Sequence, residues 1–97
     1  MRTLLLLPLA LFVACAPGSA ISAADGDAAN GETVYTSNCT SCHGAAADGG
    51  SGPAIAGASD SSGNIDAVLN GTEGMPGFVD SLSDQDVSDI FAYLATL

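Results

Sequence analysis

Positive charge is almost absent from this chain: Arg2 is its one basic residue, against eleven acids, for a formal charge of −10 at pH 7. Nothing past position 2 could neutralise a phosphate, which excludes nucleic acids and anionic lipid surfaces as partners. Tryptophan is missing, and beyond Phe12 the aromatics are only Tyr35, Phe78, Phe91 and Tyr93. A domain this short gains little stability from its apolar side chains alone. Alternating β-branched runs are missing too, so a sheet is not expected.

The apolar run Leu4–Val13 follows Arg2 and is too short to span a bilayer. Residues 1–14 read as a secretory signal peptide. Phe12-Val13-Ala14-Cys15 resembles a lipobox, with Cys15 as the lipidated residue after cleavage; ordinary cleavage at Ile21-Ser22-Ala23 is the other reading. Residues 15–26 lack apolar periodicity and are expected to form a flexible linker; from Cys15 to Asn30 the chain would have a root-mean-square reach on the order of 20 Å, and about 50 Å fully stretched. The functional domain is then 27–97, and export places it in the periplasm or cell envelope of a bacterium, with Cys15 as a possible membrane anchor.

Cys39-Thr40-Ser41-Cys42-His43 carries the chemistry. Two thiols and an imidazole on one short turn form the attachment motif of a c-type haem. The thiols add to the two vinyl groups as thioethers, and His43 reaches the iron from the same side. Zinc would need a fourth ligand, and the only other Cys or His is Cys15. A thioredoxin-like dithiol would need a strand before it, whereas the flanks here are rich in Asn, Ser and Gly. A buried porphyrin would also supply the missing core, so the apoprotein is expected to be largely unfolded.

Around the motif, the pattern predicts short helices joined by glycine-rich loops. Asp27 is placed to cap a helix over 28–37, and Gly31 inside it needs a reason, since glycine costs about 1 kcal/mol there. A close helix crossing would supply one. Residues 44–57 form a loop along the haem, with Ile55 against the porphyrin. Ile65, Val68 and Leu69 mark one face of a short helix over 64–70, which Gly71 ends. Met75 stands between Gly74 and Pro76 in a tight turn, where its thioether could bind iron opposite His43. The last helix is expected over 84–96: Ser83 and Asp86 suit a capping box, and Val87, Ile90, Phe91 and Leu94 share one face.

Taken in order, Gly31 and Tyr35, Cys39–His43, residues 52–57, Asn70-Gly71, Met75–Phe78 and the final helix resemble a small class I c-type cytochrome over 27–97. The resemblance implies an all-α fold of three to four short helices around one covalent haem c, with the first and last helices crossing. Gly31 and Tyr35 would lie there against Ile90 and Tyr93. It implies His43 and Met75 as axial iron ligands, the Pro53 carbonyl as acceptor for His43, and Ile55 at the haem. An electron carrier rather than an enzyme follows, because no second histidine or arginine is present to serve a distal reaction. A permanent haem subunit of a membrane redox complex is the alternative, and a haem enzyme or gas-binding protein with displaceable Met75 is a further one. The acidity suits either docking to basic patches on a monomer's redox donor and acceptor or adaptation to high salt.

Overall fold

The computed structural model describes residues 21–97; the signal-like segment and Cys15 lie outside them. Four helices follow in order: α1 (Ala28–Asn38), α2 (Thr40–His43), α3 (Ser62–Asn70) and α4 (Asp84–Leu94). Among the described residues there is no named strand, only a Thr72–Met75 bridge. No described helix is long and apolar enough to cross a membrane.

Local chemistry explains the helix starts. The Asp27 carboxylate accepts from the N–H groups of Ala29 and Asn30, satisfying donors that the first turn leaves open. Ser83 and Asp86 close a reciprocal capping box at α4. α3 begins earlier than its apolar spacing indicates, because Ser61 caps it by accepting from Asn64 N–H and Gly63 is carried within the first turn. α4 stops at Leu94, short of 96, where bonds to the third residue back tighten the chain: Thr96 N–H donates to Tyr93 and Leu97 N–H to Leu94. The Leu94 carbonyl also accepts from Gly57 N–H, so the loop takes a bond that another helical turn would have used.

α1 and α4 cross and pack directly on each other. A Cβ at Gly31 would run into the Asp89 carbonyl oxygen and lie 2.9 Å from the Tyr93 Cβ. The helix cost of this glycine is therefore offset by close approach. One turn on, the Tyr35 and Tyr93 rings stand 5.6 Å apart at 51°, a tilted pairing that aromatic quadrupoles favour. Tyr35, Val87, Ile90, Phe91 and Leu94 are buried here.

Residues 21–26 correct the expectation of a linker that runs to position 26. Ile21 is buried in the core, and a short 3-10 turn, Ala23–Asp25, packs on α4. Ser22 N–H donates to Ser88 Oγ at 3.0 Å, Ala23 N–H to Asp60 Oδ2 at 2.9 Å, and Gln85 Nε2 to the Asp25 carbonyl at 3.1 Å. Side chains far along the chain satisfy this backbone, so no local periodicity announces it.

Beneath that segment lies Asp89, a carboxylate only 3% exposed. It accepts from Asp27 N–H (2.7 Å), Asn30 Nδ2 (2.7 Å) and Gln85 Nε2 (2.8 Å). Burial alone would raise its pKa, but these three donors more than offset that and hold the carboxyl below its ordinary value. Asp89 thus joins the start of α1 to the middle of α4.

Candidate haem site

Tyr35 anchors the approach to the motif. Its hydroxyl donates to the Gly44 carbonyl at 2.6 Å, so the residue following His43 is fixed by the helix crossing, and burial raises the hydroxyl's pKa above its ordinary value. α2 then places Cys39, Cys42 and His43 on one turn, with His43 N–H donating to the Cys39 carbonyl at 3.0 Å. Behind them the loop folds back: Gly52 N–H donates to the Cys42 carbonyl at 2.7 Å and Gly49 N–H to the His43 carbonyl at 2.8 Å. These bonds bring Pro53 beside the imidazole. Its carbonyl lies 2.7 Å from His43 Nδ1; a carbonyl only accepts, so Nδ1 is the donor, and in the neutral ring the lone pair is then on Nε2.

A cavity of about 390 Å³ opens in front of this ring. His43, Cys39, Cys42 and Met75 all line it, and Ile55, Val68, Phe78, Leu82, Ile90, Phe91 and Leu94 contribute its apolar wall. α3 has no buried residue; its half-buried Val68 packs against the core and also lines the cavity.

Met75 is held by its own loop. Thr72 N–H donates to the Met75 carbonyl at 2.9 Å and Met75 N–H to that of Thr72 at 3.3 Å. Past the loop, Phe78 and Val79 N–H groups bond the Val68 and Leu69 carbonyls at 2.8 and 3.0 Å, using acceptors that the end of α3 leaves open. The loop's two ends press together: a Cβ at Gly71, whose φ is +80°, would meet Gly77 N at 2.8 Å. A larger residue there would push the loop open.

The donors suit a haem better than the other chemistries. Burial, with Cys42 nearby, pushes the Cys39 thiol up to about 11, the reverse of the lowered value a reactive dithiol needs. No cluster of three or more metal-binding side chains occurs among the described residues, so zinc lacks a ligand set. His43 is 6% exposed, and its Nε2 has no partner among the described residues. A buried acceptor left unpaired beside a largely apolar cavity calls for a partner, and iron is one that an imidazole nitrogen can bind.

The structure thus brings together every residue the sequence points to in 27–97: Cys39, Cys42, His43, Pro53, Ile55 and Met75. Leu82, Ile90 and Phe91 also face the cavity, although α4 periodicity marks Ile90 and Phe91 only as core. A haem protein of all-α cytochrome architecture is defined by this fold and pocket. The family model described as cytochrome c oxidase, cbb3-type, subunit III matches residues 26–94. A cytochrome c-553-like protein of Synechocystis is 39% identical over 83 residues, covering 81% of this chain and 77% of its own. Among solved structures, cytochrome c6 of the diatom Phaeodactylum tricornutum matches with TM-score 0.59 at 27% identity, over 73% of this chain and 93% of that one. Cytochrome cL of Hyphomicrobium denitrificans matches with TM-score 0.64 at 22% identity, over 76% of this chain. This chain spans about half, 48%, of that longer protein, and the likeness there is one of fold. The chain belongs to the monohaem cytochrome c family, whose cofactor is one covalently bound haem c.

Proposed function

We propose that this protein carries single electrons between redox proteins in the bacterial cell envelope, with Cys39 and Cys42 as the thioether residues and His43 and Met75 as axial iron ligands. The observation that carries the reading is the cavity with His43, its Nδ1 committed to Pro53, and Met75 both in its wall. When bound there, the haem supplies a one-electron couple. The Pro53 carbonyl orients the His43 ring and, by accepting from Nδ1, would leave Nε2 as the nitrogen for iron. The Thr72–Met75 bridge presents the thioether, and a soft sulfur ligand favours the reduced metal. The largely apolar wall would limit water at the haem, and with His43 and Met75 both bound to iron a substrate would have no place to bind. Optical spectra of the exported protein, oxidised and reduced, test this. A low-spin c-type spectrum unchanged by carbon monoxide is expected; a high-spin or carbon-monoxide-sensitive spectrum would indicate an open distal side.

Partners should be recognised mainly by charge. A surface with no Lys or Arg among residues 21–97 suits a donor or acceptor with basic patches around its docking site, in a brief contact that permits fast release. The electron-transfer rate should then fall as salt rises, while a flat dependence would favour adaptation to high salt. The burial of Ile21 and the hydrogen bonds of Ser22 and Ala23 favour cleavage before Cys15 over cleavage after Ala23, which would remove a core residue. A lipidated Cys15 would then sit only about 20 Å of extended chain from Ile21, holding the domain close to the membrane. The description of the matching family model favours a second reading, a haem subunit of a larger oxidase-type complex. Co-purification with other chains from native membranes would support it, and recovery as a single chain would support the shuttle.

A further inference from the structure

Among the described residues α3 makes no extensive contact with another helix, and only the edge of the core meets its half-buried Ile65, Val68 and Leu69. Its orientation therefore depends on how its two ends are fixed. The far end is bonded to the Met75 loop, with the Val68 and Leu69 carbonyls accepting from Phe78 and Val79 N–H, so helix and loop form one unit. At the near end Ser61 caps the helix, and the Ser59 carbonyl accepts from Asn64 Nδ2. Between these two residues lies Asp60, whose Oδ2 accepts from Ala23 N–H at 2.9 Å, 37 positions back along the chain. Among the described residues this is the one hydrogen bond that ties residues 58–61 to α4 or to the segment packed on it.

Ala23 is itself held firmly. It opens the 3-10 turn on α4, next to buried Ile21 and to Ser22, whose N–H donates to the buried Ser88 Oγ. Gly26, at the other end of the turn, lies so close to α4 that a Cβ there would run into the Ser88 carbonyl and stand 2.9 Å from Ala92 Cβ. Residues 21–26 are thus a strap laid across α4. We infer that Ala23 and Asp60 are a positioning pair, through which this strap fixes the start of α3 and so holds the Met75 loop in the cavity wall. The inference rests on the reading of Met75 as the second iron ligand. A carboxylate accepting from a backbone N–H makes a stronger bond than a neutral acceptor does, which suits a single link that must set the direction of a helix.

The test deletes either partner in the full haem-loaded chain. Ser22 is already extended (φ −154°, ψ 129°) and position 23 begins a helical turn, so Ala23→Pro suits the backbone and removes the N–H. Asp60→Ala removes the acceptor, and Asp60→Asn keeps one. Asn30→Ala is the control, because it removes a bond to the Asp89 carboxylate at the helix crossing and touches neither strap nor α3. Hydrogen exchange of α3 and the spectrum of the reduced protein under carbon monoxide are read together. Ala23→Pro and Asp60→Ala should each speed α3 exchange about tenfold, as the loss of a hydrogen bond to a charged group implies, and let the gas bind. The double variant should go no further than either single one, and Asp60→Asn and Asn30→Ala should keep wild-type α3 exchange and gas exclusion. Unchanged α3 exchange in both deletions, or the same changes in Asn30→Ala, would overturn the inference. A wild type that itself binds carbon monoxide would overturn the Met75 reading instead, while α3 exchange would still decide whether the strap holds the helix.

Discussion

The two halves of this molecule are held together by different means. On one side, α1, α4 and residues 21–26 pack on one another, with Tyr35, Val87 and Leu94 buried and Asp89 joining the elements through three hydrogen bonds. On the other, α3 and the Met75 loop bury no whole side chain among themselves: Ile65, Val68 and Leu69 are half-buried against the edge of the core, while Ala67, Val68, Met75 and Phe78 line the cavity. The first half is fully assembled by protein contacts, and the second, with fewer of them, leaves Val68, Met75 and Phe78 facing the pocket. The site draws on both: the crossing fixes the attachment turn through Tyr35 and Gly44, while the second half places Met75 in the cavity wall.

The sharpest way to break this contrast is to prevent haem attachment. In a Cys39→Ala/Cys42→Ala chain, hydrogen exchange should show α3 and residues 71–77 exchanging as free chain, with any residual protection confined to α1 and α4. Equal protection in both halves would remove the distinction. Next in size is Asp89→Asn, which replaces an acceptor of three hydrogen bonds by a group that is itself partly a donor. A loss of about 3 kcal/mol is expected in denaturant unfolding, since buried donors are left unsatisfied. The wild-type contribution also has a pH signature. A carboxyl held below its ordinary value stabilises the fold above its unfolded pKa of about 4 and loses that contribution as pH falls through the folded value. The variant's stability should therefore depend less on pH in the acid range.

Gly31→Ala is a smaller test with a clear sign. Alanine should gain about 1 kcal/mol from helix propensity alone, but here its Cβ meets the Asp89 carbonyl. A net loss of about 2 kcal/mol is expected from overpacking, and a gain would show that the helices do not cross so closely. Gly71→Ala should cost least in global stability, about 1 kcal/mol from its positive φ. Its effect should appear in the second half as partial binding of carbon monoxide by the reduced protein.

How much of this was legible in the sequence differs by half and by the kind of contact. The attachment motif, the Asp27 and Ser83 caps and the apolar face of α4 are local patterns, and each corresponds to a feature of the fold. The role of Pro53 followed from resemblance, since neither spacing nor composition identifies a carbonyl acceptor, while Met75 was marked by its tight turn and took its role as a ligand from the resemblance. Asp89 and Ser88 were not legible, because polar residues on a helix ordinarily face water and their partners lie some sixty residues away at the start of the domain. The packed segment 21–26 escaped for the same reason. Ala47, buried with φ +60°, sits where glycine would be the expected choice, and its carbonyl accepts from both Ile55 and Ala56.

The measurement closest to the central claim is the optical spectrum of haem-loaded Met75→Ala beside wild type, ferric and then reduced under carbon monoxide. If α3 and its loop serve to hold a thioether over the iron, the variant keeps its covalent haem, loses the far-red iron–methionine band and binds carbon monoxide, while wild type keeps the band and excludes the gas. An unchanged band and unchanged exclusion in the variant would contradict the assignment of Met75 and the role given to that half of the molecule.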